Sequence, residues 1–136
     1  MTAIAIRNGA LAVALLAAAT APADAETLSF KADLAPVAGT ESKASGTLEA
    51  AYDTDSKKLT WKGSYRGIGT YATAANMYGP SNNIVVRLRS FDSPFEGIAI
   101  VSGKQAPDLI AGRWFILLST AGYPNGELRG QLKPAN

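Results

Sequence analysis

The sequence contains no cysteine and no histidine, and the two absences together remove most familiar routes to chemistry. Without cysteine there is no disulfide, no thiolate nucleophile and no thiolate metal site. Without histidine there is no Ser-His-Asp or Cys-His constellation and no imidazole ligand, the group that supplies most acid-base catalysis near neutral pH. An enzyme built on this chain would have to work with carboxylates, lysine, tyrosine or a Ser-Lys pair. A dominant charge is missing too: 13 Lys and Arg face 11 Asp and Glu, for a net charge of +2. Apart from Lys57-Lys58 and Arg87/Arg89 the basic residues are scattered, so there is no polybasic stripe for nucleic acid or anionic lipid.

Long hydrophobic runs are also lacking. The most apolar stretch, Ala10 to Ala19, follows a lone Arg7 and is closed by Pro22 and Asp24. A helix spanning a bilayer needs about 20 apolar residues, so this stretch does not read as an integral membrane segment. Ala23-Asp24-Ala25 places small residues where a signal peptidase reads them. Residues 1–25 are therefore expected to be a cleaved signal peptide, leaving 26–136 as one exported domain, periplasmic or extracellular. Loss of Arg7 and Asp24 leaves 12 basic against 10 acidic residues, and the balance stays at +2.

What is present is alternation. Leu28, Phe30, Ala32 and Leu34 alternate with polar residues, as do Leu48, Ala50 and Tyr52, and then Leu59, Trp61, Gly63 and Tyr65. This is the period of half-buried strands, and the turn residues Asp53 to Ser56 make the last two runs a hairpin. Tyr71 to Met77 reads as a looser segment, followed by a loop over Tyr78 to Asn83. Strands are expected again from Ile84, from Phe95 to Val101, over the apolar run Arg113 to Thr120, and from Glu127 to Leu132. The only helical signal is one turn near 105–111, with Pro107 near its start and Gly112 past its end. The pattern predicts an all-β domain, a β-sandwich or Greek-key barrel of about seven to eight short, mostly antiparallel strands.

At Ala75-Asn76-Met77-Tyr78-Gly79-Pro80, and again from Thr120 to Leu132, the chain resembles the CHRD domain family, a module widespread as a single exported bacterial domain. The most specific part is Gly126-Glu127-Leu128-Arg129-Gly130-Gln131-Leu132. Phe30 to Leu34, Ala44 to Thr47, Tyr52-Asp53, Leu59 to Trp61, Tyr65 to Gly67 and Ala111 to Trp114 extend the resemblance over nearly all of 28–133. The family pattern carries an Ala-His-Ile-His-Gly motif and a later His-Thr pair. Here its three histidines fall at Asn76, Tyr78 and Ser119. In the family such histidines would form a copper or zinc cluster; an amide, a phenol and a hydroxyl do not reproduce that donor set. The resemblance thus implies a CHRD-like β domain with no metal site and no cofactor.

Candidate ligand-binding residues are Asn76, Tyr78, Ser119, Tyr123, Glu127 and Arg129. Glu127 and Arg129, two apart on a strand, are expected to share one face, either binding a charged ligand or forming a structural pair. Trp61, Tyr65, Trp114 and Phe115 sit in apolar patterns and read as core, whereas Tyr71, Tyr78 and Tyr123 flank loops. Asp53 and Asp55 lack the spacing of a calcium loop and read as a hairpin turn. Arg87 and Arg89 suit either an acidic partner or a face kept from aggregating. The expected role is a non-catalytic binding or structural module of the cell envelope, its partner an unknown protein or envelope component. The alternatives are an envelope enzyme using carboxylate, tyrosine or lysine chemistry, and a CHRD-type protein with residual metal affinity.

Overall fold

The structure, a computed structural model, describes residues 26–135; the expected signal peptide lies outside them. In chain order the elements are β1 (Thr27–Pro36), β2 (Ser45–Asp53), β3 (Lys58–Arg66), β4 (Ala72–Tyr78), β5 (Ile84–Arg87), β6 (Phe95–Ile100), α1 (Ala106–Ile110), β7 (Phe115–Thr120), β8 (Leu128–Gln131) and β9 (Lys133–Pro134). All pairings are antiparallel, in the order β5-β4-β7-β8-β1-β2-β3-β6, with β9 beside β1. The sheet curls until its two ends, β5 and β6, border one groove. The result is a nearly closed barrel of eight strands with one short helix, the barrel form of the all-β expectation.

Alternation builds the interior. Phe30, Ala32 and Leu34 of β1 face inward with Leu48, Ala50 and Tyr52 of β2, Leu59 and Trp61 of β3, and Ile116 and Leu118 of β7. Leu109 of α1 and Trp114 are also fully buried. The Tyr52 hydroxyl, taken inside with its ring, donates to the Val101 carbonyl at 3.1 Å, so the buried polar atom is satisfied. β1 joins the two halves of the barrel: Leu28 to Leu34 pair with β2, and Ala35 and Pro36 pair with β8. Gly130 permits that junction, because a Cβ there would lie 2.6 Å from the Asp33 carbonyl oxygen.

Two expectations need correcting. Residues 72–78 are not a loose segment but strand β4. Its register shifts between Ala72 and Ala74, so the buried positions fall at Ala72, Ala75 and Met77 and break the period of two. Tyr78 accordingly ends a strand rather than opening a loop. The last strand also begins one residue later than expected, at Leu128, which matters for Glu127.

Candidate functional site

The outer face of β4, β7 and β8 collects most of the candidate residues. On β4, Ala75 and Met77 point to the core, so Asn76 and Tyr78 face outward, both half-buried. Ile116 and Leu118 do the same for β7, leaving Phe115, Leu117 and Ser119 outward. The register sets Tyr78 opposite Phe115, Asn76 opposite Leu117 and Ala74 opposite Ser119. Asn76, Tyr78 and Ser119 therefore share one face of two adjacent strands. Arg129 of β8 lies opposite Leu117 on the same side, and on the far edge Asn76 lies opposite Arg87 of β5.

Phe115 is the centre of this face. The Tyr78 ring stacks on it with centroids 5.0 Å apart and planes 7° from parallel. From the opposite neighbouring strand, the Arg129 guanidinium carbon sits 4.0 Å from the same centroid. An exposed cation over an aromatic ring contributes about 0.5–1 kcal/mol, and the stacking holds Tyr78 in place from the other strand. Sequence reading assigned Phe115 to the core along with Trp114; the apolar run Trp114 to Leu118 hides which of its residues face out. The signal that separates them is the register carried back from the Asn125-Gly126 turn, which pairs Phe115 with Gln131.

Glu127 does not share this face. Its N–H donates to the Leu118 carbonyl at 2.7 Å, although the register partner of Leu118 is Leu128. Two residues of the incoming chain thus oppose one, as in a β-bulge, and the side chain turns inward. Glu127 is 2 % exposed and is the only buried carboxylate among the described residues. Its Oε1 accepts from the Thr120 hydroxyl at 2.7 Å and its Oε2 from the Ser42 hydroxyl at 2.5 Å. Those hydroxyls accept in turn from the backbone, Thr120 Oγ1 from the Tyr123 N–H at 3.1 Å and Ser42 Oγ from the Ala44 N–H at 3.0 Å. The expected Glu127–Arg129 pair is absent; the one salt bridge among the described residues joins Arg113 and Asp108. Ser42 lies 85 residues from Glu127 in sequence, and Thr120, only seven away, meets it because the bulge turns the carboxylate inward, so neither partner is legible from spacing.

Tyr123 contributes through its backbone. Its carbonyl accepts from Thr120 and Gly126, closing the turn that delivers Glu127 to its hydroxyls. Elsewhere, Asp53 holds the β2–β3 turn: Oδ1 accepts from the Asp55 N–H at 2.8 Å and the Ser56 N–H at 3.0 Å. Bonds from the Ser56 and Asp55 backbones hold its carboxyl below the usual carboxylate range. No group of three His, Cys, Asp or Glu side chains able to hold a metal ion occurs among the described residues. At the three positions discussed above the donors are an amide, a phenol whose ring is stacked on Phe115, and a hydroxyl. That set does not fit a copper or zinc cluster.

The comparisons bear on the same segments. No curated protein and no solved structure matches the chain. A family model, the CHRD domain, matches residues 16–132, a span that holds the stacked face, the Glu127 network and the whole barrel path. The chain belongs to the CHRD domain family.

Proposed function

We propose that this protein is an exported, non-catalytic binding module of the cell envelope in which the metal site of the family has given way to a contact surface. The observation that carries the reading is the Tyr78–Phe115–Arg129 stack with Asn76 beside it. Tyr78 and Arg129 cover the two faces of Phe115, so the row presents apolar ring edges, and the guanidinium and an amide offer directional hydrogen bonds to sugar hydroxyls or peptide groups. The strands beneath keep it rigid, so binding costs little ordering entropy. Turnover is disfavoured by the role of Glu127: both carboxylate oxygens are occupied by hydroxyls that organise the β7–β8 turn.

A thermal-shift scan of the purified protein against copper, zinc and a panel of envelope glycans tests this. A ligand at about a hundred times its Kd raises stability by about 2.7 kcal/mol, a shift of several degrees. The expected result is a shift with a glycan, abolished by Arg129→Ala, and none with either metal. A copper or zinc shift that survives Arg129→Ala would overturn the reading.

A further inference from the structure

The barrel has one unpaired seam. Val101 donates to the Lys57 carbonyl at 2.8 Å, and the register continues through Ile100 opposite Lys58. In an antiparallel ladder the bonded positions alternate, so Ala99 and Gly97 bond to β3 while the backbone groups of Ile100, Ile98 and Glu96 face away from it. On the other side Leu88 donates to the Ala75 carbonyl at 3.0 Å, and the same alternation turns the backbone of Arg87 away from β4. β5 and β6 are not paired with each other. Between them runs a groove of about 590 Å³ whose lining includes Val86, Arg87, Arg89, Ile98, Ala99 and Trp61. Exposed polar backbone on both walls is a template for one more strand.

Trp61 supplies an independent observation. It belongs to β3, one strand further from the groove, and reaches it by laying its indole across Gly97; a Cβ there would meet Cζ2 at 2.4 Å and Nε1 at 2.9 Å. The residue is only 6 % exposed, and its Nε1 is the one buried side-chain N or O atom without a hydrogen-bond partner among the described residues. An orphaned buried donor is destabilising unless something accepts from it. The charge around the seam is also one-sided. Arg87 and Arg89 are exposed and in no salt bridge, against a single Glu96, whose register partner is Lys62.

We infer that the seam between β5 and β6 binds an extended peptide segment of a partner protein, carrying acidic side chains at alternate positions, as an added strand. Its outward residues run between the Arg87 and Arg89 guanidiniums and the exposed Ile98 and Ile100 side chains, which suits glutamate: carboxylate to arginine, methylenes to isoleucine. Its inward residues pass Gly97 and Ala99, where only small side chains fit, and a hydroxyl or carbonyl there accepts from Trp61 Nε1. Because β5 and β6 run in opposite directions, the added strand is antiparallel to one edge and parallel to the other. This surface adjoins the Phe115-centred face through the Asn76–Arg87 pair, but it is read by Trp61 and the β6 amides, which that face does not contain, so the two readings fail separately.

The test is a titration of the 15N-labelled protein with a capped nonapeptide of alternating Glu and Thr, and with the same peptide carrying Lys for Glu. Two tryptophans give two indole signals, and Trp61→Phe assigns them. The expected result is a downfield shift of the Trp61 indole proton and protection of the Arg87, Ile98 and Ile100 amides with the acidic peptide, with the basic one far weaker. Ile98→Pro removes a seam-facing N–H without touching a bond to β3. It should weaken binding about fivefold to tenfold at nearly unchanged Tm. An indole and edge amides left unshifted by millimolar acidic peptide would refute the proposal. So would edge amides already protected in the free protein in a concentration-dependent way, which would mark a second copy as the occupant.

Discussion

Glu127 shows how much one residue can hold. Its two oxygens tie Ser42 in the β1–β2 loop to Thr120 at the end of β7, and its backbone bridges Leu118 and Val37. Removing the carboxylate leaves two hydroxyls without their acceptor and a hole where the side chain was. Glu127→Ala should cost about 2–4 kcal/mol in a urea melt. Glu127→Gln should cost about 1 kcal/mol, since one oxygen still accepts while the amide must find a hydroxyl willing to receive it. Ala tolerated as well as Gln would show that the network is not stabilising. Gly97 makes the opposite demand: Gly97→Ala drives a methyl into the Trp61 ring and should cost about 1–3 kcal/mol by the same measurement.

Among the elements, the β2–β3 hairpin carries a pH signature. Asp53 is bound by the Ser56 and Asp55 amides, which hold its carboxyl below the ordinary range. Its folded pKa is depressed, so its contribution is present above the unfolded pKa and is lost as pH falls through the folded one. Acid melts should therefore show a decline in stability below the carboxylate range that is reduced in Asp53→Asn. An identical acid profile for the two proteins would contradict the assignment. This hairpin was legible in the sequence because Leu48, Ala50, Tyr52 and Leu59, Trp61 keep strict alternation on either side of clear turn residues. β4 was not, because the shift at Ala72–Ala74 breaks the phase and its residues are small. Tyr78 and Ser119 could be named as candidates from the family motif, but that Phe115 joins them depends on the pairing of β7 with both neighbours. The inward turn of Glu127 depends on a bulge that no residue type announces.

At the scale of the molecule, stability without any covalent staple must come from one shared core, and β1 is what makes it one. It pairs with β2 along its length and with β8 at its end, so neither half of the barrel is complete alone. Trp61 reports on one half and Trp114 on the other. Urea unfolding followed by the fluorescence of each tryptophan, isolated by a Phe substitution of the other, should coincide with far-UV circular dichroism within each variant. Separate midpoints would mean that the halves unfold independently. The proposed role rests on one claim: that the outer face of β4 and β7, where the family pattern carries histidines and this chain carries Asn76, Tyr78 and Ser119, is a contact surface and not a metal site. Copper(II) added to the 15N-labelled protein tests that claim most directly, because a bound paramagnetic ion broadens the signals around it. Uniform, weak broadening across the barrel is the expected result; selective loss of the Asn76, Tyr78 and Ser119 amides at stoichiometric copper would contradict it.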